Sequence, residues 1–496
     1  MKRKMTDNRG KNKRTSVDML SGPLLSKIIL FALPLAATSI LQQLFNAVDT
    51  AVVGRFASSQ AMAAVGSNTS IINLIIALFV GLSVGGNVVI ASLIGRQKQD
   101  EIADAVHTAV VVALASGFIL LAAGQLIAVP LLRMVKTPED VIGLASLYLR
   151  IYFLGMPFIM FYNFGSAILR SKGDSSRPLY ALITGGIVNV ILNLILVIVF
   201  HLHVIGVAAA TVTSNAISAG VIFRILHHET DFFRVEIRKL RVNRKHLVRM
   251  MRIGLPAGLQ GIVFSLSNTV IQSGINDFGS MASAGSAAAL NYEIVAYYFV
   301  AAFNQAAVTF TSQNFSAGKY GRCKSVFRIT LVSSVIATAV FDYTVLFFRG
   351  PLLAVFTSDP EVYAFAAMRL FCVLAFQCMV NSYEISGSAM RGMGYSLTPT
   401  ILMIFGTCVF RILWVLKFFP RFHTFRILLM VYPASWILTG LLVLPTYLVL
   451  RRKLFRQGDR MIGGARAFLP SEPGETDAGK KSNEPGETDT GQKKIE

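Results

Sequence analysis

The residue in this chain best placed to do chemistry is a carboxylate inside an apolar run. Asp49 lies in QQLFNAVDTAVVG, about 25 residues into its segment, preceded by Gln42, Gln43 and Asn46. Asn46 and Asp49 are three apart, which puts both side chains on one helix face. A charged carboxylate in hydrocarbon is costly, so it must be wet, paired or protonated. Gaining a proton or a cation removes that cost and can bias one conformation of the surrounding protein over another. A structural reading stands beside this one: Asp49 closes the outer end of its helix near Arg55. Asn189 and Asn193, four apart and hence also on one face, are expected to complete a polar pocket around Asp49 with Asn163 and Tyr180. Asn in a membrane helix can equally act as glue between helices.

The second half of the chain offers its own polar set within apolar segments: Asn268, Gln272, Asn291, Glu293, Asn304, Gln305, Asp342, Glu384 and Arg411. Glu293, the acid of NYEIVAYYF, sits mid-segment and is taken as a second binding-site carboxylate. Glu384 and Arg411 are expected to pair across helices. Asp342 lies between apolar runs and reads either as a helix break or as a partner of another group. The abundant aromatics, 35 Phe and 14 Tyr, suit a cleft for flat or cationic organic solutes.

Other chemistries find no support. Cys323, Cys372, Cys378 and Cys408 show no metal-ligand spacing with histidine and read as buried thiols. No GxxxxGK[ST] loop occurs, which argues against direct ATP hydrolysis. His201 and His203, and His227 and His228, have no acid or nucleophile arranged with them. We expect no enzyme, no metal and no cofactor.

Long helices are needed to hold these polar residues in place. The chain has 496 residues, 54% hydrophobic and 15% charged, against about 25% charged in soluble globular proteins. Apolar runs fall at about 24–54, 62–94, 105–132, 144–169, 178–200, 204–226, 250–275, 283–314, 327–356, 362–389, 397–419 and 427–450. Each is long enough to span a bilayer as a helix, and open sheet edges are excluded by the cost of bare backbone in hydrocarbon. Of the 47 Lys and Arg, 37 fall on the side that holds both ends of the chain and seven on the other. That asymmetry places both termini in the cytoplasm. It also accounts for the net charge of +21 through anionic lipid contact, with no nucleic acid as partner. The first 23 residues are basic and polar and lack the short apolar core of a signal peptide. The stretch from about Gly458, which carries EPGETD at 472–477 and 484–489, is too polar to offset its ordering entropy and is expected to be disordered.

The two halves resemble each other. Pro34 and Asn46 recur as Pro256 and Asn268 at an offset of 222. Arg170-Ser-Lys-Gly173 with Pro178 recurs as Arg391-Gly-Met-Gly394 with Pro399 at 221, and Gly185 falls on Gly406. Six helices separate matched positions, so the repeats insert in the same direction. The expected fold is an all-α polytopic membrane protein of 12 transmembrane helices, in two parallel six-helix repeats forming a V-shaped cleft. Its parts are a basic tail at 1–23, lobes at 24–226 and 250–455, a basic linker at 227–249 and a tail at 456–496.

The chain resembles the multidrug and toxic compound extrusion (MATE) exporters of bacteria over about residues 20–455. The resemblance rests on DMLSGPLLSKIILFALPL at 18–35, LQQLFNAVDTAVVGRF at 41–56, SAILRSKGDSSRP at 166–178 and SGSAMRGMGYSLTP at 386–399. TSQNFSAGK at 311–319 resembles the family's loop motif after the eighth helix, and RILWV at 411–415 and YPASW at 432–436 resemble features of its second lobe. The resemblance implies export of organic, often cationic, compounds driven by inward movement of H⁺ or Na⁺ through a two-lobe transporter of the bacterial inner membrane. It puts Asp49 on the family's first-helix carboxylate, implicated in cation coupling. NVILN at 189–193 ends in Asn193 where many relatives have Asp, so a second carboxylate is missing and the ion is left open.

The reading is therefore a cation-coupled antiporter, acting as a monomer by alternating access. Its ion-coupling residues are Asp49, Asn46, Asn189 and Asn193. Its cleft residues are Gln42, Asn163, Tyr180, Asn268, Gln272, Asn291, Glu293, Gln305, Glu384 and Arg411. The alternative is a lipid or lipid-linked glycan flippase, which needs a basic, laterally open cleft.

Overall fold

Apolar runs of this length become helices because hydrocarbon offers backbone N–H and C=O groups no partner outside the segment. The computed structural model describes residues 16–56, 59–134, 137, 139–229 and 232–467. In the first repeat the helices are α1 (Leu24–Phe56), α2 (Ser59–Gly95), α3 (Gln99–Met134), α4 (Glu139–Leu154), α5 (Met156–Ser171), α6 (Ser176–Leu194) and α7 (His203–His227). In the second they are α8 (Arg244–Asn276), α9 (Ser280–Ser316), α10 (Tyr320–Phe347), α11 (Arg349–Ala354), α12 (Pro360–Gln377), α13 (Val380–Gly392), α14 (Leu397–Met403), α15 (Phe410–Leu413), α16 (Phe419–Phe422), α17 (Phe425–Leu429) and α18 (Val431–Ala467). No strand occurs among the described residues. Among the described residues eleven helical segments are long and apolar enough to cross a membrane, Leu397–Phe422 (α14 to α16) counting as one, and twelve when α4 and α5, bent by 46°, are taken as one span. The protein is an all-α polytopic membrane protein.

The duplication extends to the defects. The fourth span, expected as continuous, breaks at Gly155, and the tenth breaks at Cys378–Met379, close to 222 residues later. Left-handed backbone recurs as well. Gln97 (φ 56), Gly173 (φ 99) and His201 (φ 52) are matched by Gly318 (φ 71), Gly394 (φ 92) and His423 (φ 33). At Gly173 and Gly394 a positive φ reverses the chain after a helix, a conformation glycine adopts without a Cβ penalty.

Other boundaries shift. The ninth span ends at Phe347, with α11 after it, rather than at 356. α8 begins at Arg244, inside the expected linker. Residues 16–449 lie in one compact unit and residues from Leu450 in another, which α18 continues as helix to Ala467. The expected disordered tail is therefore helical over 456–467. The basic residues 1–15 and both EPGETD copies lie outside the described residues.

Where the repeats meet, α2 packs against α8 and α9, and α1 against α9. The first contact is backbone against backbone. A Cβ on Gly81 would lie 2.3 Å from the Gly258 nitrogen, and one on Gly85 2.2 Å from the Met250 oxygen. Gly81 and Gly85 face Gly254 and Gly258, two G-x-x-x-G pairs of the kind that lets membrane helices approach closely. A strap before α1 also ties the repeats. The Val17 N–H donates to the Gly173 carbonyl at 2.9 Å. Asn314 and Arg322 donate to the Met19 carbonyl at 3.1 and 3.2 Å, and Lys319 to that of Leu20 at 3.0 Å.

Candidate functional site

α1 carries Asp49 into the space between α6 and α7. Asp49 is 8% exposed. Asn193 Nδ2 of α6 donates to Asp49 Oδ1 and also reaches Asn189 Oδ1 at 3.2 Å. Thr211 Oγ1 of α7 reaches Asp49 Oδ2 at 3.4 Å and donates to its own Val207 carbonyl at 2.9 Å. Three helices thus converge on one acid. Asn193 Oδ1 is buried without a hydrogen-bond partner. The site therefore gathers carboxylate, amide and hydroxyl oxygens, the donor set that suits a proton or a hard cation.

Asp49, Asn189 and Asn193 come together as expected. Thr211 was not foreseen. Its signal was the polar run Thr211-Val-Thr-Ser-Asn in an otherwise apolar segment, but nothing in spacing aims that run at α1. Asp49 does not close a helix end, because it lies inside α1 and bonds across to α6.

Other expectations are corrected. Asn46 is exposed, and among the described residues its side chain makes no hydrogen bond to Asp49. Tyr180 is 59% exposed and sits thirteen residues before Asn193, about 20 Å of helix rise away. Asn163 donates to its own Ile159 carbonyl at 2.9 Å. The expected pocket of Asn163 and Tyr180 around Asp49 is therefore not formed. Gln42, Gln272 and Asn291 are exposed; Gln272 reaches Asn276 at 3.0 Å and Asn291 the Ala287 carbonyl at 3.0 Å.

In the second repeat, Glu293 is not a free carboxylate. Arg369 holds it through two hydrogen bonds of 2.7 and 2.9 Å. Glu384 and Arg411 do not pair. Glu384 accepts from Asn304 at 2.6 Å. Arg411, 1% exposed, donates to Asn268 at 2.9 Å and Ser435 at 3.0 Å and lies over the rings of Phe264 and Tyr432. Cation–π contact and neutral oxygens replace the expected carboxylate. Gln305 and Thr309 of α9 both donate to Asn87 Oδ1 of α2, at 3.3 and 3.0 Å. Gln305 is thus a tie between repeats. Asp342 breaks no helix; it lies within α10. Among the described residues no three His, Cys, Asp or Glu gather in a way that could hold a metal.

Comparison with known proteins places this architecture. A family model described as MatE matches residues 34–195 and again residues 256–415. The chain belongs to the MatE family. The two MatE matches begin at Pro34 and Pro256, the anchors of the internal repeat. A relative from Bacillus subtilis, "Probable multidrug resistance protein YoeA", is 29% identical over 385 residues, 76% of this chain and 83% of its own length. The fold is similar to "MATE in the bent conformation" at a TM-score of 0.82 and 20% identity, covering 89% of this chain and 98% of that one. It is equally similar, at 0.82 and 20%, to an outward-facing multidrug resistance MATE family transporter, covering 88% and 98%. Family and fold are those of membrane transporters, not enzymes.

Proposed function

We propose that this MatE protein is a cation-coupled antiporter of the bacterial inner membrane that exports organic, cationic compounds by alternating access. The observation that carries the reading is Asp49, buried on α1 and held by Asn193 of α6 and Thr211 of α7. An ionised Asp49 accepts from Asn193, and from Thr211 when that hydroxyl turns from the Val207 carbonyl to the acid. Once it takes a proton, one oxygen becomes a donor and the unpartnered Asn193 Oδ1 becomes its acceptor, by rotation of the amide. A bound Na⁺ would recruit the same oxygens. Either change alters how α1 is tied to α6 and α7, and so biases one conformation over the other. Relatives named as multidrug resistance proteins support export of organic compounds. The charge asymmetry of the loops supports cytoplasmic termini. Lobes at 24–226 and 250–455, working as a monomer, are the moving parts in this reading.

The test is reconstituted efflux of cationic dyes with H⁺ and Na⁺ gradients imposed separately. Export that depends on one gradient is expected. Transport unchanged after both gradients collapse would overturn the reading. Asp49→Asn should fold and bind but lose gradient-driven export.

A further inference from the structure

The second repeat holds a buried polar system that the first lacks. On α10, Thr330, Ser334, Thr338 and Asp342 recur every fourth residue, all between 0% and 1% exposed. They form one stripe about 18 Å long. Ser334 donates to Asn381 Oδ1 of α13, and Asn381 Nδ2 reaches Thr338 Oγ1 at 3.4 Å. Thr330 Oγ1 and both carboxyl oxygens of Asp342 have no hydrogen-bond partner. Facing Asp342 are Glu293 of α9, neutralised by Arg369 of α12, and Cys378 at the end of α12. α13 presents the neutral Asn381.

The fold does not require this arrangement. Shifted back by 221, the offset of the matched positions on either side, Asp342, Arg369 and Asn381 fall on Leu121, Tyr148 and Met160, and Glu293 falls on Ile72. Thr330, Ser334 and Thr338 fall on Ala109, Ala113 and Gly117, none of which carries a hydroxyl. The scaffold thus packs without the acids and without the hydroxyls. α10 instead turns its hydroxyls to Asn381 or leaves them open. Conversely, Asp49 and Asn193 map onto Ile271 and Trp414, so the first-repeat site is not duplicated either.

With Glu293 matched by Arg369, an ionised Asp342 would leave one uncompensated charge in a dry interior, whereas the neutral acid leaves none. We propose that Asp342 is a second proton-binding site, served by the hydroxyl track Thr338–Ser334–Thr330 with Asn381. No hydrogen bond joins Asp342 to Thr338 in this arrangement, so the Asp342 O–H bond breaks only once the Thr338 hydroxyl rotates to accept. Each hydroxyl then accepts one proton and releases one in turn, and the proton leaves as hydronium where rotation of Thr330 meets water. The reverse path reloads the acid. Its part in the transport cycle rests on the ion-coupled reading above; the site itself does not.

The test is infrared difference spectroscopy on the full chain in liposomes, without any transported solute, so failure of the export reading leaves it intact. A protonated-carboxyl band at neutral pH is expected in the wild type and in Asp49→Asn, and is expected to be absent when Asp342→Asn is added to Asp49→Asn. The band that remains in Asp49→Asn should shift on transfer to D₂O, and adding Thr338→Val should slow that shift at least tenfold. Should Asp342→Asn fail to fold, the Thr338→Val comparison still decides. Three results in the Asp49→Asn background would overturn the proposal: the band survives when Asp342→Asn is added, it never exchanges with D₂O, or Na⁺ at fixed pH removes it.

Discussion

At the scale of residues, burial separates groups that hold the fold from groups that can change state. Glu293 and Arg369 satisfy each other, and removing one partner of such a buried pair costs about 3–5 kcal/mol. Arg369→Met should therefore lower the unfolding temperature in detergent markedly, and Glu293→Met added to it should recover much of the loss. Asp49 is under-satisfied by comparison. Asn193→Ala removes its main donor and should shift the pH or Na⁺ dependence of export, read in reconstituted efflux. Thr211→Val removes only a 3.4 Å contact and should change that dependence less than half as much. Asp49 could be read from sequence because an acid in an apolar run is rare for a physical reason. The partnership with Arg369 could not, since nothing in its position along the 362–389 run aims it at Glu293.

At the scale of elements, close approach is set by glycine. Gly81→Ala places a Cβ 2.3 Å from the backbone nitrogen of Gly258, where no side chain can give way, so α2 and α8 must separate. Gly220→Ala in α7 meets nothing within 4 Å and should be neutral or stabilising by up to about 1 kcal/mol through helix propensity. Thermal unfolding of the two variants side by side checks the contrast: a large fall for the first, none for the second. The glycines were visible in the sequence as spacing. Which helix they faced was not, because G-x-x-x-G carries no partner address.

At the scale of the whole molecule, the residue 17–22 strap and the linker after α7 lock parts that lie far apart in sequence. Arg322 donates to the carbonyls of Met19, Ser21 and Gly22. Arg322→Ala should raise deuterium uptake across residues 17–22 several-fold in exchange mass spectrometry. Glu229, after α7, accepts from Lys172 at 2.7 Å and Arg177 at 2.5 Å. Burial pushes its carboxyl up, but the Lys172 and Arg177 bonds and charges outweigh that and hold it below its ordinary value. A depressed folded value means this stabilisation is fully present above the ordinary carboxylate range and is lost as pH falls through the folded value. Stability should therefore drop on acidification in the wild type, and by less in Glu229→Gln, measured as unfolding temperature against pH.

Twelve apolar segments, their repeat and the lone acid of the first helix were fixed locally, by hydropathy, spacing and the cost of charge in hydrocarbon. Those terms depend on residue type and neighbours along the chain. The partners were decided only by folding: Thr211 for Asp49, Arg369 for Glu293, Asn268 and Ser435 for Arg411. A side chain on a helix surface can meet any helix packed beside it, and the packing that selects one is a property of the assembled bundle.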